Sequence, residues 1–209
     1  MPDEPRGKRT IAFFDGQNLF SAAKEAFGYR FANYDPKLLA QSVCDSKEWQ
    51  LDRVYFYTGV PSHEENPRWH GFWSNKVADM GKRGIYTFTR PLRYQKRIFE
   101  ISDGISYEKT IAREKGIDVR IALDVVRLAT KKYYDVALIF SQDQDLSEAV
   151  NDIHQLSKDQ RRWIKIASCF PASPDSTNNR GINDTDWIPM DKATYDKCID
   201  PRDYRPKKW

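Results

Sequence analysis

With 209 residues, 40% of them hydrophobic and 13% aromatic, the chain is long enough to bury one continuous core and too rich in aromatics to be disordered. No run approaches the ~20 apolar residues of a membrane span, and the opening MPDEPRGKRT lacks the apolar stretch of a signal peptide, so no membrane association and a cytoplasmic location are expected. A net charge of +4 permits a polyanionic partner without singling one out. Cys44, Cys169 and Cys198, widely spaced and without a C-x-x-C pair, argue against zinc and for buried reduced thiols.

Residues 1–9 read as a flexible N-terminus, 10–199 as one domain and 200–209 as a basic C-terminal tail. The apolar run Thr10–Phe14 predicts a buried parallel strand that stops at Asp15-Gly16. A helix follows from near Asn18, with Leu19, Phe20, Ala23, Ala26 and Phe27 on one side and Gly28 as its stop. Asp35-Pro36 supplies an N-cap and a first-turn proline for a second helix, and Arg53–Thr58 is the second strand. Trp69, Phe72, Trp73, Val77 and Met80 recur at helical spacing over Pro67–Arg83, which makes the two tryptophans core-facing anchors; Ile85–Thr89 is the third strand.

Irregular alternation from Arg93 to Lys115, with a turn at Ser102-Asp-Gly104, predicts a peripheral hairpin. Asp118 is the expected N-cap of a helix over VRIALDVVRLATKK, and Val136–Phe140 is a further buried strand. Leu146, Ala149, Val150, Ile153 and Leu156 mark another helix, Ile164–Ser168 a fifth strand, Pro171–Asn183 a loop and Asp186–Pro189 a short last strand. This alternation predicts an α/β fold with a mostly parallel central sheet, helices on both faces and right-handed crossovers.

Functional groups in such a sheet gather beyond the carboxyl ends of its strands. Asp15 follows the first strand, Asp143 and Asp145 follow VALIF, and Asp118 begins a helix after the break at Gly116. Convergent carboxylates repel one another unless a hard cation neutralises them, which makes Mg²⁺ or Mn²⁺ the natural cofactor and phosphodiester hydrolysis the natural chemistry. His63, His70 and His154 show no mutual spacing that suggests a histidine site. Asp15-Gly16 could equally be a plain strand-ending turn, and Asp118 a plain cap. The doublet Asp143 and Asp145 exceeds what capping requires.

Asp15-Gly16-Gln17-Asn18, Lys115-Gly116-Ile117-Asp118-Val119 with Asp124 behind it, and Ser141-Gln142-Asp143-Gln144-Asp145 occur in order and in matching elements. Together they resemble the NYN domain family of PIN-like nucleases, over roughly Arg9 to Pro189. The resemblance implies a Rossmann-like PIN fold and, in many members, metal-dependent ribonuclease activity. It assigns Asp15, Asp118, Asp143 and Asp145 to the metal and the catalytic site, with Asn18 orienting water, substrate or Asp15. Asp124 is a second-rank ligand, since it lies roughly 9 Å along the helix axis from Asp118 and on another radial direction. The sequence departs from the common family pattern at Gln142, where glycine often follows the serine, and at Leu146, where phenylalanine is frequent.

From Lys82 to Arg97, KRGIYTFTRPLRYQKR carries six basic residues and no acidic one. It reads either as a solvated strand and hairpin or as an RNA surface in which Arg90, Arg93, Lys96 and Arg97 track phosphates and Tyr94 stacks on an unpaired base. A metal-dependent (endo)ribonuclease acting on single-stranded or structured RNA is the leading expectation, and a non-catalytic RNA-binding or regulatory module is the alternative; a homo-oligomer is compatible with either. An aspartate-nucleophile phosphatase would need aspartate at Gln17, and a dinucleotide site would need a glycine-rich turn in place of DGQN.

Overall fold

A computed structural model describes residues 2–101 and 105–206. In chain order the elements are β1 (Arg9–Asp15), α1 (Gly16–Phe27), α2 (Pro36–Ser46), β2 (Gln50–Val60), α3 (Pro67–Lys82), β3 (Tyr86–Pro91), β4 (Arg93–Ile101), β5 (Ile105–Arg113), α4 (Ile117–Thr130), β6 (Val136–Phe140), a 3-10 turn (Gln144–Leu146), α5 (Ser147–Asp159), β7 (Lys165–Pro171), β8 (Asp186–Met190) and α6 (Lys192–Asp196). Six strands form one sheet in the order β3-β2-β1-β6-β7-β8, and every pairing in it is parallel. The short α6 is not foreseen in the sequence. The proposed turn at Ser102-Asp-Gly104 lies outside the described residues.

The sheet is all parallel because its central strands are apolar on both faces. Ile11 and Phe13 of β1 join Ile121, Val125 and Ile153 of α4 and α5 in one core layer, while Ala12 and Phe14 join Leu19, Leu39, Phe72 and Met80 of α1, α2 and α3 in the other. Phe14 is opposite Phe140 in the register, and their rings stack at 4.0 Å. Each such ring taken fully from water contributes about 1.5–3 kcal/mol, so the β1–β6 seam is among the firmest parts of the molecule. In contrast, β4 and β5 pair only with each other, antiparallel, and Ile98 on β4 is 72% exposed. The three cysteines are buried and unpaired, and burial pushes the Cys44 thiol up to about 12.

One expectation is corrected. The N-cap of α4 is Gly116, at φ 74°, rather than Asp118: glycine tolerates the left-handed turn, so the helix starts at Ile117 and Asp118 falls within its first turn. The basic segment after 199 is held to the domain through residues 200–204. Asp200 and Tyr204 are buried, the Tyr204 hydroxyl donates to Asp200 at 2.8 Å and Asp79 at 3.0 Å, and Arg202 pairs with Asp35 and Asp200. Beneath them Lys76, fully buried on α3, donates to the Tyr34 carbonyl at 2.8 Å and lies 3.5 Å from Asp200. Among the described residues no helix is long and apolar enough to cross a membrane.

Candidate active site

The strand order reverses between β1 and β6, which opens a crevice at their carboxyl ends. Asp15 ends β1 at that point and is the N-cap of α1: its Oδ1 accepts the Asn18 N–H at 3.0 Å, and its Oδ2 accepts the Ser141 hydroxyl at 3.3 Å. Gly16 must follow, because a Cβ there would lie 2.7 Å from the Phe56 ring and 2.9 Å from the Tyr57 carbonyl. Across the crevice the Asn18 Oδ1 accepts the Gln142 N–H at 2.9 Å, so Asn18 holds Asp15 through its backbone and the loop after β6 through its side chain. The Ser141 hydroxyl accepts the Asp143 N–H at 3.1 Å, and Asp143 Oδ1 accepts the Asp145 N–H at 3.0 Å. Asp145 itself is exposed at the rim.

A fifth carboxylate at this edge, Glu114, is not apparent from the sequence. Just ahead of Gly116, it accepts the N–H of Gly59 near the end of β2. A Cβ on Gly59 would lie 2.6 Å from Glu114 Oε2 and 2.3 Å from Leu92, so a larger residue there would displace the Glu114 carboxylate from this position. That glycine, closing the buried run VYFYT, is the one sequence signal of a close approach there. Burial raises Glu114 to about 7, with Asp15 and Asp118 adding to the rise and the Gly59 N–H opposing it. Burial likewise raises Asp15 to about 6, against the Asn18 N–H and Ser141 and reinforced by Asp143 and Asp118. Asp15, Glu114, Asp118 and Asp143 therefore share one field. Among the described residues no three acidic, histidine or cysteine side chains are arranged, as they stand, to ligate a single ion.

Asp124 is placed elsewhere. It is buried, its Oδ2 accepts Arg120 Nε at 2.8 Å and the Tyr57 hydroxyl at 3.0 Å, and its Oδ1 accepts Arg127 at 2.7 Å. With both oxygens hydrogen-bonded and two arginines beside it, Asp124 joins α4 to β2, and its charge is already answered within the fold.

The basic residues divide as well. Arg90 lies against the turn into α4, its Nη1 2.9 Å from where a Gly116 Cβ would be. Arg93, Lys96 and Arg97 are exposed on β4, with Lys96 paired to Glu108 at 2.8 Å. The Tyr94 hydroxyl is taken by the Ser62 N–H at 3.0 Å. His63, ahead of α3, and His70 within it have ring centroids 5.6 Å apart, while His154 contacts the Asp184 carbonyl.

Among curated proteins none matches this chain. Solved structures similar to it include a ribokinase from Giardia lamblia, at 12% identity over 82% of this chain and 54% of that one with a TM-score of 0.36. Another is MurG from Acinetobacter baumannii, at 8% identity over 88% and 45% with a TM-score of 0.35. The chain spans about half the length of either, and likeness this low carries no functional weight. The profile of the NYN domain matches residues 9–161, which takes in β1, the α4 motif and the loop after β6. With most of its length so matched, on a parallel sheet flanked by helices, the chain belongs to the NYN domain family of PIN-like nucleases.

Proposed function

We propose that this chain is a metal-dependent ribonuclease that hydrolyses RNA phosphodiester bonds at the edge lined by Asp15, Glu114, Asp118 and Asp143, with Asp145 at the rim. The observation that carries the reading is the gathering of these carboxylates at one edge, where burial first and their mutual repulsion second raise Asp15 to about 6 and Glu114 to about 7. An all-oxygen, acidic donor set suits a hard divalent cation. Mg²⁺ commonly keeps several waters and binds through one or two carboxylates plus substrate, so three converged side chains are not required. When bound, Mg²⁺ or Mn²⁺ would supply charge neutralisation, a water of lowered pKa and stabilisation of the leaving oxygen.

Asp15 and Asp143, braced by Ser141, would hold the ion, with Asp118 and Asp145 at its margins. Glu114, raised to near neutrality, can take up or release a proton at its carboxylate oxygen near pH 7. Arg90 beside the Gly116 turn, with Arg93, Lys96 and Arg97 along the hairpin, would follow the phosphates of the strand. Tyr94, its hydroxyl held by the Ser62 N–H, would offer its ring face to an unpaired base.

Purified protein with Mg²⁺ or Mn²⁺ should cleave RNA, EDTA should stop it, and Asp143→Asn should lower the rate by about 10³-fold with the fold intact. Cleavage surviving both EDTA and the substitution would overturn the assignment. One observation favours the second reading, a non-catalytic RNA-binding module: both oxygens of Asp15 already serve the fold, on Asn18 and Ser141. That reading predicts salt-dependent RNA binding without product.

A further inference from the structure

Gln142 stands where the family commonly has glycine, and it is 8% exposed. Its Nε2 donates to the carbonyls of Asn178 at 3.0 Å and Arg180 at 2.9 Å. Two residues on, Gln144 Nε2 donates to the Gly181 carbonyl at 2.9 Å, and its Oε1 accepts the Asn183 N–H at 3.1 Å. The two glutamines interleaved with Asp143 and Asp145 thus grip the backbone of residues 178–183, in the connection between β7 and β8.

That connection has no helix or strand of its own, yet it is pinned at several points. Thr177 donates through both its N–H and its hydroxyl to Glu25 at 2.6 Å, and Ile182 N–H donates to Ser168 at 3.1 Å. Gly181 fits so closely that a Cβ would lie 2.2 Å from the Ser168 hydroxyl. On this fixed frame the side chains of Asn178, Asn179 and Arg180 are exposed. Arg180 forms no ion pair among the described residues, and its guanidinium lies 5.9 Å from the Trp187 ring centroid. A chain of contacts, each 3.0 Å or shorter, runs from Asp15 through Asn18 and Gln142 to the backbone of Arg180.

We propose that the β7–β8 connection is a wall of the RNA groove in which Arg180 binds a backbone phosphate flanking the scissile one, and that Gln142 and Gln144 hold it in register with the carboxylates. An acidic edge repels a polyanion, so the strand needs cationic contacts close by. A guanidinium matches a phosphate in two-pronged geometry, and a held loop spares the ordering cost on binding. This role rests on the ribonuclease reading and goes beyond it by assigning a contact and its positioning residues.

The test is binding of a fluorescein-labelled oligouridylate to the full chain in EDTA, followed by cleavage kinetics with Mn²⁺. Arg180→Ala should weaken binding about tenfold and flatten the plot of log K against log salt by about 0.7, the share of one single-strand phosphate contact. Arg180→Lys should recover part of the loss. Gln142→Glu, which sets an acceptor against two carbonyls, should raise KM by a similar factor with the loss falling on KM rather than kcat. If that variant does not fold, Gln144→Ala should remove the exchange protection of the Asn183 amide and raise KM. Unchanged affinity and salt slope in Arg180→Ala, or an unchanged KM after the Asn183 amide has been freed, would overturn the proposal while leaving the ribonuclease reading standing. Wild-type protein that neither binds nor cleaves the oligouridylate would overturn both.

Discussion

Asp15 and Asp200 are almost equally withdrawn from water, at 5% and 8% exposure, yet their surroundings are opposite. Around Asp200 stand Lys76, Arg202 and the Tyr204 hydroxyl; burial alone would push its carboxyl up, and these donors overcome it and hold the group below its ordinary value. Around Asp15 stand Asp143 and Asp118, which add to the rise that burial imposes. The first cluster neutralises itself, so its charges serve the fold. The second leaves negative charge unanswered, an arrangement that costs stability in the free protein and on which the proposed binding of a cation rests.

The contrast can be broken from either side. Asp200→Ala strands the fully buried Lys76 without its counter-charge and should cost about 3–5 kcal/mol, read from urea denaturation. A cost under about 1 kcal/mol would remove the distinction between the clusters. The two aspartates of α4 sharpen it further. Asp124→Asn loses charge-assisted bonds to Arg120 and Arg127 and should cost about 2 kcal/mol, whereas Asp118→Asn should stay within about 0.5 kcal/mol while lowering cleavage. Equal stability losses would place Asp118 with the structural cluster.

The smallest expected effect concerns pH. Glu114 titrates at about 7 in the folded chain against 4.5 ordinarily, and Asp15 at about 6 against 3.8. Between those values the folded state holds more protons than the unfolded one. Their contribution to stability is therefore complete below about pH 4 and is lost as the pH rises to about 7. Metal-free protein should lose Tm across that interval. Glu114→Gln, which keeps an acceptor for the Gly59 N–H, should be roughly 1–2 kcal/mol more stable than wild type at pH 8 and little different near pH 4. A variant no more stable at pH 8 would show that Glu114 bears no such electrostatic cost.

Much of the fold was legible because it is written locally. Apolar runs bounded by Asp15-Gly16, Gly28 and Asp35-Pro36 mark the ends of β1, α1 and the start of α2, and each boundary residue acts through neighbours within four positions. Asp15, Asp143 and Asp145 could be named as strand-end acids for the same reason. Asp118 was identified correctly as a residue of the α4 start but not as its cap, since the conformation of Gly116 decides where the helix begins.

What the sequence by itself determined is the alternation of apolar strands with helices and the acids that close those strands, because burial pattern and strand-end position depend on nearest neighbours in the chain. Only the tertiary structure decided which acids share a field. Glu114 enters through a gap left by Gly59, 55 residues away, and Asp124 is turned from the crevice by Tyr57 at a separation of 67. Gln142 reaches a loop 36 to 38 residues on. Electrostatic coupling and steric room depend on distance in space, and the folded sheet alone brings these groups within a few ångströms.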